Sequence, residues 1–272
     1  MAHVERIRLY PVKALNAEEV DRARVTDVGT LAGDREYAFC DPDAETFESR
    51  IDIRDLAYNG KQTDRVHDVR TDFDFETATL SVDPVDDDVR EFDLGSEAGR
   101  EAAGEWFGEF IGDPVTLRHN APPAFVDRPE MGPSVISTAT LEEVASWFDD
   151  MTVEGARRRL RANVEVGGVP AFWEDRFVGE DAPAFEAGGI RFEGAEACAR
   201  CVVPSRAPET GDPLPEFRER FVEMREETFP EWADRDAFEH LYTLMLISRI
   251  PEGSRAETLS VGDEVEVLEP AR

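Results

Sequence analysis

Residues 4–12 alternate between apolar and polar positions and are rich in β-formers, which predicts an opening strand that Pro11 ends. Further short strands are predicted at Ala23–Val28, Tyr37–Cys40, Val66–Thr71, Thr79–Val82 and Val115–Arg118. Turn residues separate them at Gly29, Gly33-Asp34, Asp41-Pro42-Asp43, Asn59-Gly60 and Asp83-Pro84. Many short strands with frequent turns point to a sheet sandwich or a small barrel. The period then changes. Ala102, Ala103, Trp106, Phe107, Phe110 and Ile111 recur at helical spacing, so a helix is predicted from about Glu97 to Ile111, stopped by Gly112-Asp113-Pro114. The proline-rich, non-periodic stretch that begins at Asn120 and ends at Pro133 reads as a crossover between two halves.

The second half opens on another predicted helix. Leu141, Val144, Ala145, Trp147 and Phe148 share a face, and the Thr140/Glu143 pair has capping-box spacing. Strands are predicted at Asn163–Val166, Ile190–Glu193, Ala197–Val203 and Glu264–Leu268, the last entered through a turn at Val261-Gly262-Asp263-Glu264. Between Pro215 and Leu246, Phe217, Phe221, Met224, Phe238, Leu241, Leu244 and Met245 predict a mostly helical segment. There is no internal repeat and no low-complexity tract.

Composition adds a surface to this pattern. The 272 residues carry 30 Lys plus Arg against 61 Asp plus Glu, a net charge of −31. That charge argues against a general nucleic-acid binder and against peripheral binding to anionic lipid. With 41% hydrophobic residues and 17 Phe, the chain still has enough apolar material for a core. Lysine occurs only at Lys13 and Lys61; every other basic residue is arginine. An acidic, lysine-poor coat suits a protein working in concentrated salt, where counterions screen its self-repulsion. No apolar run approaches the length of a membrane span, the N-terminus lacks a signal-peptide core, and three cysteines are too few for a disulfide framework. A cytoplasmic protein, without nucleic-acid or membrane partners and acting as a monomer, is the expectation.

Against the acidic background, a few positions stand out. In Cys198-Ala199-Arg200-Cys201, two cysteines three apart could chelate a metal, form a redox disulfide, hold an activated thiolate beside Arg200, or simply pack in the core. Structural zinc is disfavoured, because there is no second cysteine pair and the histidines (His3, His67, His119, His240) are scattered. The run Arg157-Arg158-Arg159-Leu160-Arg161 is either a solvated helix end or an anion grip, since guanidinium forks match phosphate oxygens. Lys13, just past the first strand, fits a point-charge contact to phosphate, whereas Lys61 reads as an ordinary loop charge. Glu174-Asp175 follows an aromatic pair and reads equally as part of a packed site or as a solvated turn. No phosphate-binding glycine loop, nucleophile elbow or zinc-protease helix motif is present.

Together these segments resemble the MOSC family, the domain shared by molybdenum-cofactor sulfurases and amidoxime-reducing molybdoenzymes. Tyr10-Pro11-Val12-Lys13, Gly33-Asp34-Arg35 and Ser49-Arg50 resemble the β-barrel domain that precedes MOSC. Arg161-Ala162-Asn163, Glu174-Asp175, Ala197-Cys198-Ala199-Arg200-Cys201, Pro208-Glu209-Thr210-Gly211 and Val261-Gly262-Asp263 resemble MOSC itself. The resemblance implies a mainly β fold with α (α+β): an N-terminal β-barrel-like domain over residues 1–118, a crossover linker at 119–133, and a MOSC β-barrel with peripheral helices over 134–272. It implies the molybdenum cofactor, a molybdopterin, held between the halves. Cys201 would be the catalytic thiolate and metal ligand, and Lys13, Arg50, Ser137, Thr138, Arg161, Asn163 and Arg200 would bind the cofactor.

The implied activity is reduction of an N-hydroxylated or related small-molecule substrate, with electrons from a separate donor protein such as a ferredoxin. The alternative is a sulfur carrier that passes a cysteine persulfide to a metal–sulfur centre or cofactor. The chain departs from the family pattern at Ala14, where animal amidoxime reductases carry serine, and at Pro170, where they carry an acid. It has no aminotransferase-like portion for pyridoxal phosphate and no iron–sulfur module of its own.

Overall fold

The computed structural model describes residues 1–43, 57–58, 60–61, 63–120, 124–126 and 132–268. The first half supplies β1 (His3–Leu9), β2 (Glu18–Val20), β3 (Arg22–Arg24), β4 (Tyr37–Cys40), β5 (Val69–Asp74), β6 (Thr79–Pro84), β7 (Arg90–Asp93), α1 (Glu97–Ile111) and β8 (Thr116–His119). The second supplies β9 (Ser134–Ser137), α2 (Thr138–Ser146), α3 (Val153–Leu160), β10 (Val164–Gly167), β11 (Phe185–Ala187), β12 (Ile190–Ala199), α4 (Phe217–Glu227), β13 (Thr243–Arg249), β14 (Thr258–Ser260) and β15 (Val265–Val267). The fold is mainly β with α, as the pattern of short strands leads one to expect.

The sheets do not respect the crossover. One eight-stranded sheet runs β15-β11-β12-β13-β9-β10-β1-β2, so the first strand of the chain closes the sheet of the second half. β1 pairs antiparallel with β10, and β3 pairs with β14. Val4, Ile7 and Leu9 accordingly sit in one apolar cluster with Val135, Val164, Phe185 and Phe192. Beyond β1, β2 and β3, the first half is a separate lobe in which β4 pairs with β8 and β5-β6-β7 form a sheet beside α1. The Ser96 hydroxyl caps α1 and Gly112, at φ 78°, ends it. Phe107 on its buried face meets Phe39 at 4.1 Å between ring centroids. Gly104 permits this packing, because a Cβ there would come within 3.1 Å of the Leu117 amide nitrogen.

Several expectations change. The predicted strand at Val66–Thr71 begins only at Val69, since Arg65–His67 form a 3-10 turn, and Ala23–Val28 shortens to β3. α2 is capped by Ser137, whose hydroxyl accepts from the Thr140 amide, rather than through a Thr140/Glu143 box. The strands expected at Ile190–Glu193 and Ala197–Val203 are one strand, β12, with irregular register at Gly194/Glu196 and Ala197/Ala199. The helical reading of Pro215–Leu246 holds only for α4; Thr243–Arg249 is the strand β13, paired with both β12 and β9. All but the last of its residues are buried, and an apolar run of that length reads alike as a buried helix or a two-faced strand. No helix among the described residues is long and apolar enough to cross a membrane.

Candidate functional site

A cleft of about 220 Å³ opens between the two halves. The first half lines it with Arg8, Lys13, Arg35 and Lys61, and the second with Arg158, Arg159, Arg161, Arg200 and Arg206. His67, Tyr10, Asn16 and Cys201 complete its polar wall, and among the described residues no Asp or Glu lines it. In a chain of net charge −31, nine cations around one cavity are a concentrated exception. Both lysines of the protein are among them, so Lys61 is not the ordinary loop charge its sequence context suggests.

Local geometry explains why these side chains converge. Tyr10 follows β1, with its amide bonded to Asp34 Oδ1 at 2.9 Å and its carbonyl accepting from the Arg35 amide at 2.7 Å. The Arg35 and Arg161 guanidiniums both lie over its ring, at 4.7 and 4.1 Å from the centroid. The Tyr10 hydroxyl donates to the Ala162 carbonyl at 3.3 Å. Arg161 ends α3 in the left-handed region, at φ 59°, where glycine is the usual residue. Ala14 and Arg35, also on the cleft, have φ of 78° and 55°. Left-handed backbone at non-glycine residues persists where the surroundings over-determine it, and here it faces the cavity. Tyr10→Leu is expected to weaken oxyanion binding in the cleft about three- to tenfold, and Tyr10→Phe much less, because phenylalanine keeps the cation–π platform. Sulfate titration by calorimetry would check this.

Several of these arginines are tethered through one terminal nitrogen while other nitrogens of the set are left unmet. Arg200 Nη2 donates to the Leu160 carbonyl at 3.0 Å, Arg159 Nη1 to the Pro204 and Arg206 carbonyls, and Arg206 Nη1 to the Gly211 carbonyl at 3.2 Å. Arg8 reaches Glu154 at 3.7 Å, and Arg158 pairs with Glu209. Yet Arg8 Nε and Nη1, Arg159 Nε, Arg200 Nε, Arg206 Nε and His67 Nε2 are buried without a hydrogen-bond partner. The unmet guanidinium nitrogens are donors whose burial is costly, and guanidiniums clustered beside a cavity can meet an acceptor-rich anion, whereas Nε2 of a neutral His67 is an acceptor. Burial pushes the Arg161 guanidinium down to about 10, with Arg35 and Arg8 adding to the shift, and burial also lowers Arg159. An anion between them relieves that strain.

The strand β12 delivers the cysteines. Its irregular register ends at Ala199, where the ladder is continued by the Arg200 amide donating to the Tyr242 carbonyl. A bulge re-aims side chains, and here Cys198 turns inward while Arg200 and Cys201 reach the cleft. The Arg200 guanidinium touches the Cys198 sulfur, at 3.4 Å, so the cation set between the two cysteines attends the buried one. Burial pushes the remaining cysteine, Cys40, up to about 12. Among the described residues, no group of three or more His, Cys, Asp or Glu side chains is placed to hold a metal ion.

Family models match residues 1–114 to the MOSC N-terminal β-barrel domain and residues 129–266 to the MOSC domain. The chain belongs to the MOSC domain family. MOSC domains are associated with molybdenum-cofactor binding. No curated protein matches the chain.

The MOSC resemblance named eight site residues, and the structure distributes them. Lys13, Arg161, Arg200 and Cys201 line the cleft, with Lys13 Nζ also donating to the Phe125 carbonyl at 2.9 Å. Arg50 lies outside the described residues. Asn163 sits behind the wall. Its Nδ2 donates to the Arg8 carbonyl and to Asp34 Oδ1, both at 3.0 Å, and its Oδ1 accepts from the Ser134 amide and hydroxyl. Its role in this geometry is to position Asp34, and through it Tyr10. Ser137 and Thr138 do not line the cleft. Ser137 is fully buried as the cap of α2, and the Thr138 hydroxyl donates to Glu5 Oε2 at 2.6 Å.

Of the arginine run, Arg157 is committed elsewhere, paired with both Glu165 oxygens at 2.7 and 2.9 Å. Arg8, Tyr10, Lys61, His67 and Arg206 were not assigned to a site by the sequence. Their common signal, basic or hydrogen-bonding residues near the ends of predicted strands, is too general to find them without the fold.

Glu174 and Asp175, a solvated turn on one reading of the sequence, are buried in the MOSC half. Glu174 Oε2 accepts from the Ser137 amide and the Thr140 hydroxyl, both at 3.2 Å, and Oε1 has no partner. Burial, then Asp175, pushes Glu174 up to about 8. A carboxyl raised in the folded state contributes its stability in full below its unfolded value near 4.5 and loses it as pH rises through about 8. Glu174→Gln is therefore expected to flatten the decline in stability between pH 5 and pH 9. Thermal melts across that range check it; an unchanged slope would mean that Glu174 ionises freely in the fold.

Proposed function

We propose that this chain is a molybdenum-cofactor-binding oxidoreductase that reduces N-hydroxylated or related oxygenated small molecules, drawing electrons from a separate donor protein of the ferredoxin kind. One observation carries the reading: the interdomain cleft joins a single accessible thiol, Cys201, to a wall of buried, unmet guanidinium donors. That donor set fits a metal already held by an anionic organic ligand. One soft thiolate is supplied to the metal, and the guanidiniums and lysines are supplied to the ligand's phosphate. When bound, such a cofactor supplies a metal able to change oxidation state by two and to accept an oxygen atom.

The chain's own residues then have separable tasks. Cys201, as its thiolate, would hold the metal. Arg161 and Arg35, levelled by Tyr10, and Lys13 grip the anionic end. Arg200 bridges from the Leu160 carbonyl and Cys198 to the cleft, so it fixes the loop that carries Cys201. The acidic coat serves in concentrated salt, where its repulsion is screened, and the cleft keeps its positive potential because its charges are partly buried. The test is purification in concentrated potassium chloride with metal and pterin analysis, followed by reduction of an amidoxime with a chemical electron donor. Stoichiometric molybdenum and amidine product support the reading. Little molybdenum with a sulfur adduct on Cys201 would replace it with the sulfur-carrier alternative.

A further inference from the structure

His67 is not among the residues that the family resemblance brings to the site, yet it lines the cleft. It ends the 3-10 turn Arg65–His67 in the N-terminal lobe. Its Nδ1 lies 3.4 Å from the carbonyl oxygen of Pro208 in the opposite half, so the proton sits on Nδ1 in the neutral ring and Nε2 is left as a bare acceptor. Nε2 is buried and has no hydrogen-bond partner, and the residue lines the cavity. The turn Pro208-Glu209-Thr210-Gly211 closes over the ring. Gly211 has φ 72°, and a Cβ there would come within 3.1 Å of His67 Cδ2. A Cβ on Gly60 would lie 3.6 Å from Nε2 on the other side. The two turns confine the ring between them, with Nε2 left unpartnered at the cleft wall.

We propose that His67 is a direct ligand contact of the cleft, and that an oxyanion bound there draws a proton onto Nε2, making the imidazolium a hydrogen-bond donor to that anion and a proton source inside the site. The charged groups near the ring are Arg206 and Arg161 from the C-terminal half and Asp68 beside it, with Arg158 and Lys61 further along the cleft wall; a second, adjoining cavity that His67 also lines adds Arg70, Asp83 and Glu209. Burial first, then Arg206 and Arg161, hold the imidazole below its ordinary value, against the Pro208 carbonyl and Asp68, which favour the charged ring. A bound anion reverses the sign of the local field. The proton is taken from solvent: one N–H bond forms on Nε2, its electron pair coming from the ring, and no electrons are otherwise exchanged. The consequence is linkage, since an anion that raises the His67 value must bind more tightly as pH falls. The inference rests on the proposed function only for the identity of the natural ligand. A reductase that turns N–OH into N–H and water consumes protons, and His67 would hold one beside the substrate.

Sulfate is the probe, because it stays fully ionised across the range. Calorimetric titration of the full chain at constant ionic strength, in two buffers of different ionisation enthalpy, reads affinity and proton uptake together. Wild type is expected to bind sulfate at least threefold more tightly at pH 6 than at pH 8, with proton uptake between. H67Q is expected to bind with little pH dependence and no uptake. In a variant carrying H3Q, H119Q and H240Q, the remaining imidazole proton resonance reports His67 directly. Its titration midpoint should lie below about 6.5 without sulfate and rise when sulfate is added. A midpoint that sulfate does not move, or equal proton uptake in H67Q, overturns the proposal, as does sulfate binding that Arg206→Gln leaves untouched. Absence of molybdenum from the purified protein would overturn the proposed function and leave these results standing.

Discussion

Cys201→Ser is expected to remove molybdenum from the protein while leaving the fold in place. A hydroxyl does not ionise at neutral pH and is a hard donor, so the anchoring bond to a soft, highly charged metal is lost. Among the described residues the side chain makes no hydrogen bond and belongs to no apolar cluster, so little folding energy rides on it. Wild type should carry about one molybdenum per chain and the variant less than about a tenth of that, since affinity falls with loss of the deprotonated ligand. The melting temperature should stay within a few degrees. The neighbouring substitution gives the opposite pattern. Cys198 packs beside Met245 in a buried cluster with Arg200 against its sulfur, so Cys198→Ser should cost about 1–3 kcal/mol of stability and retain most of the metal. Metal analysis with thermal melts on both variants decides the matter. Stoichiometric metal in the Cys201 variant would show that another group holds it.

The contrast between these cysteines marks where the sequence stops informing. Their spacing was visible, and so were the residues expected to bind with them, but only the family resemblance singled out Cys201; the residues themselves left open which thiol faced the cleft. That depends on the register shifts at the end of β12, which are set by pairing with β13, a segment whose apolar run reads equally as helix. α1 was legible over its full span, because its apolar period and its terminal glycine agree. β13 was not, because a strand buried on both faces has no alternation to read. Lys13 and Arg161 stood out against a chain that has almost no lysine and an excess of acid. Arg8 and Arg206 did not, since an isolated arginine carries no signal until two distant strands bring it to one cavity. His67 is the extreme case: its partner, Pro208, is 141 residues away.

Arg225 shows the same limit in the core, and its replacement is expected to have the largest effect on stability. It is an arginine with no exposed surface, on α4. Nη2 bonds Asp175 Oδ2 at 2.7 Å, Nε donates to the Thr243 carbonyl at 3.4 Å, and the guanidinium lies 4.5 Å above the Phe172 ring centroid. It therefore ties α4 to β13 and to the turn carrying Glu174 and Asp175. Arg225→Met keeps much of the volume but strands Asp175 in a site where burial already raises its carboxyl and only Arg225 opposes that rise. Removing one partner of a buried pair costs about 3–5 kcal/mol, a large share of the total stability of an ordinary domain. Denaturant unfolding in concentrated potassium chloride should show that loss for Arg225→Met and for Asp175→Leu separately. The double variant should recover much of it, because a buried ion pair replaced by apolar side chains no longer leaves a charge unmatched. Additive losses would mean that the pair is held by solvent or by Glu174 rather than by each other. If the recovery is seen, the buried pair is there to fix how α4 sits on the sheet, and cleft binding in the double variant then reports whether that placement matters to the site.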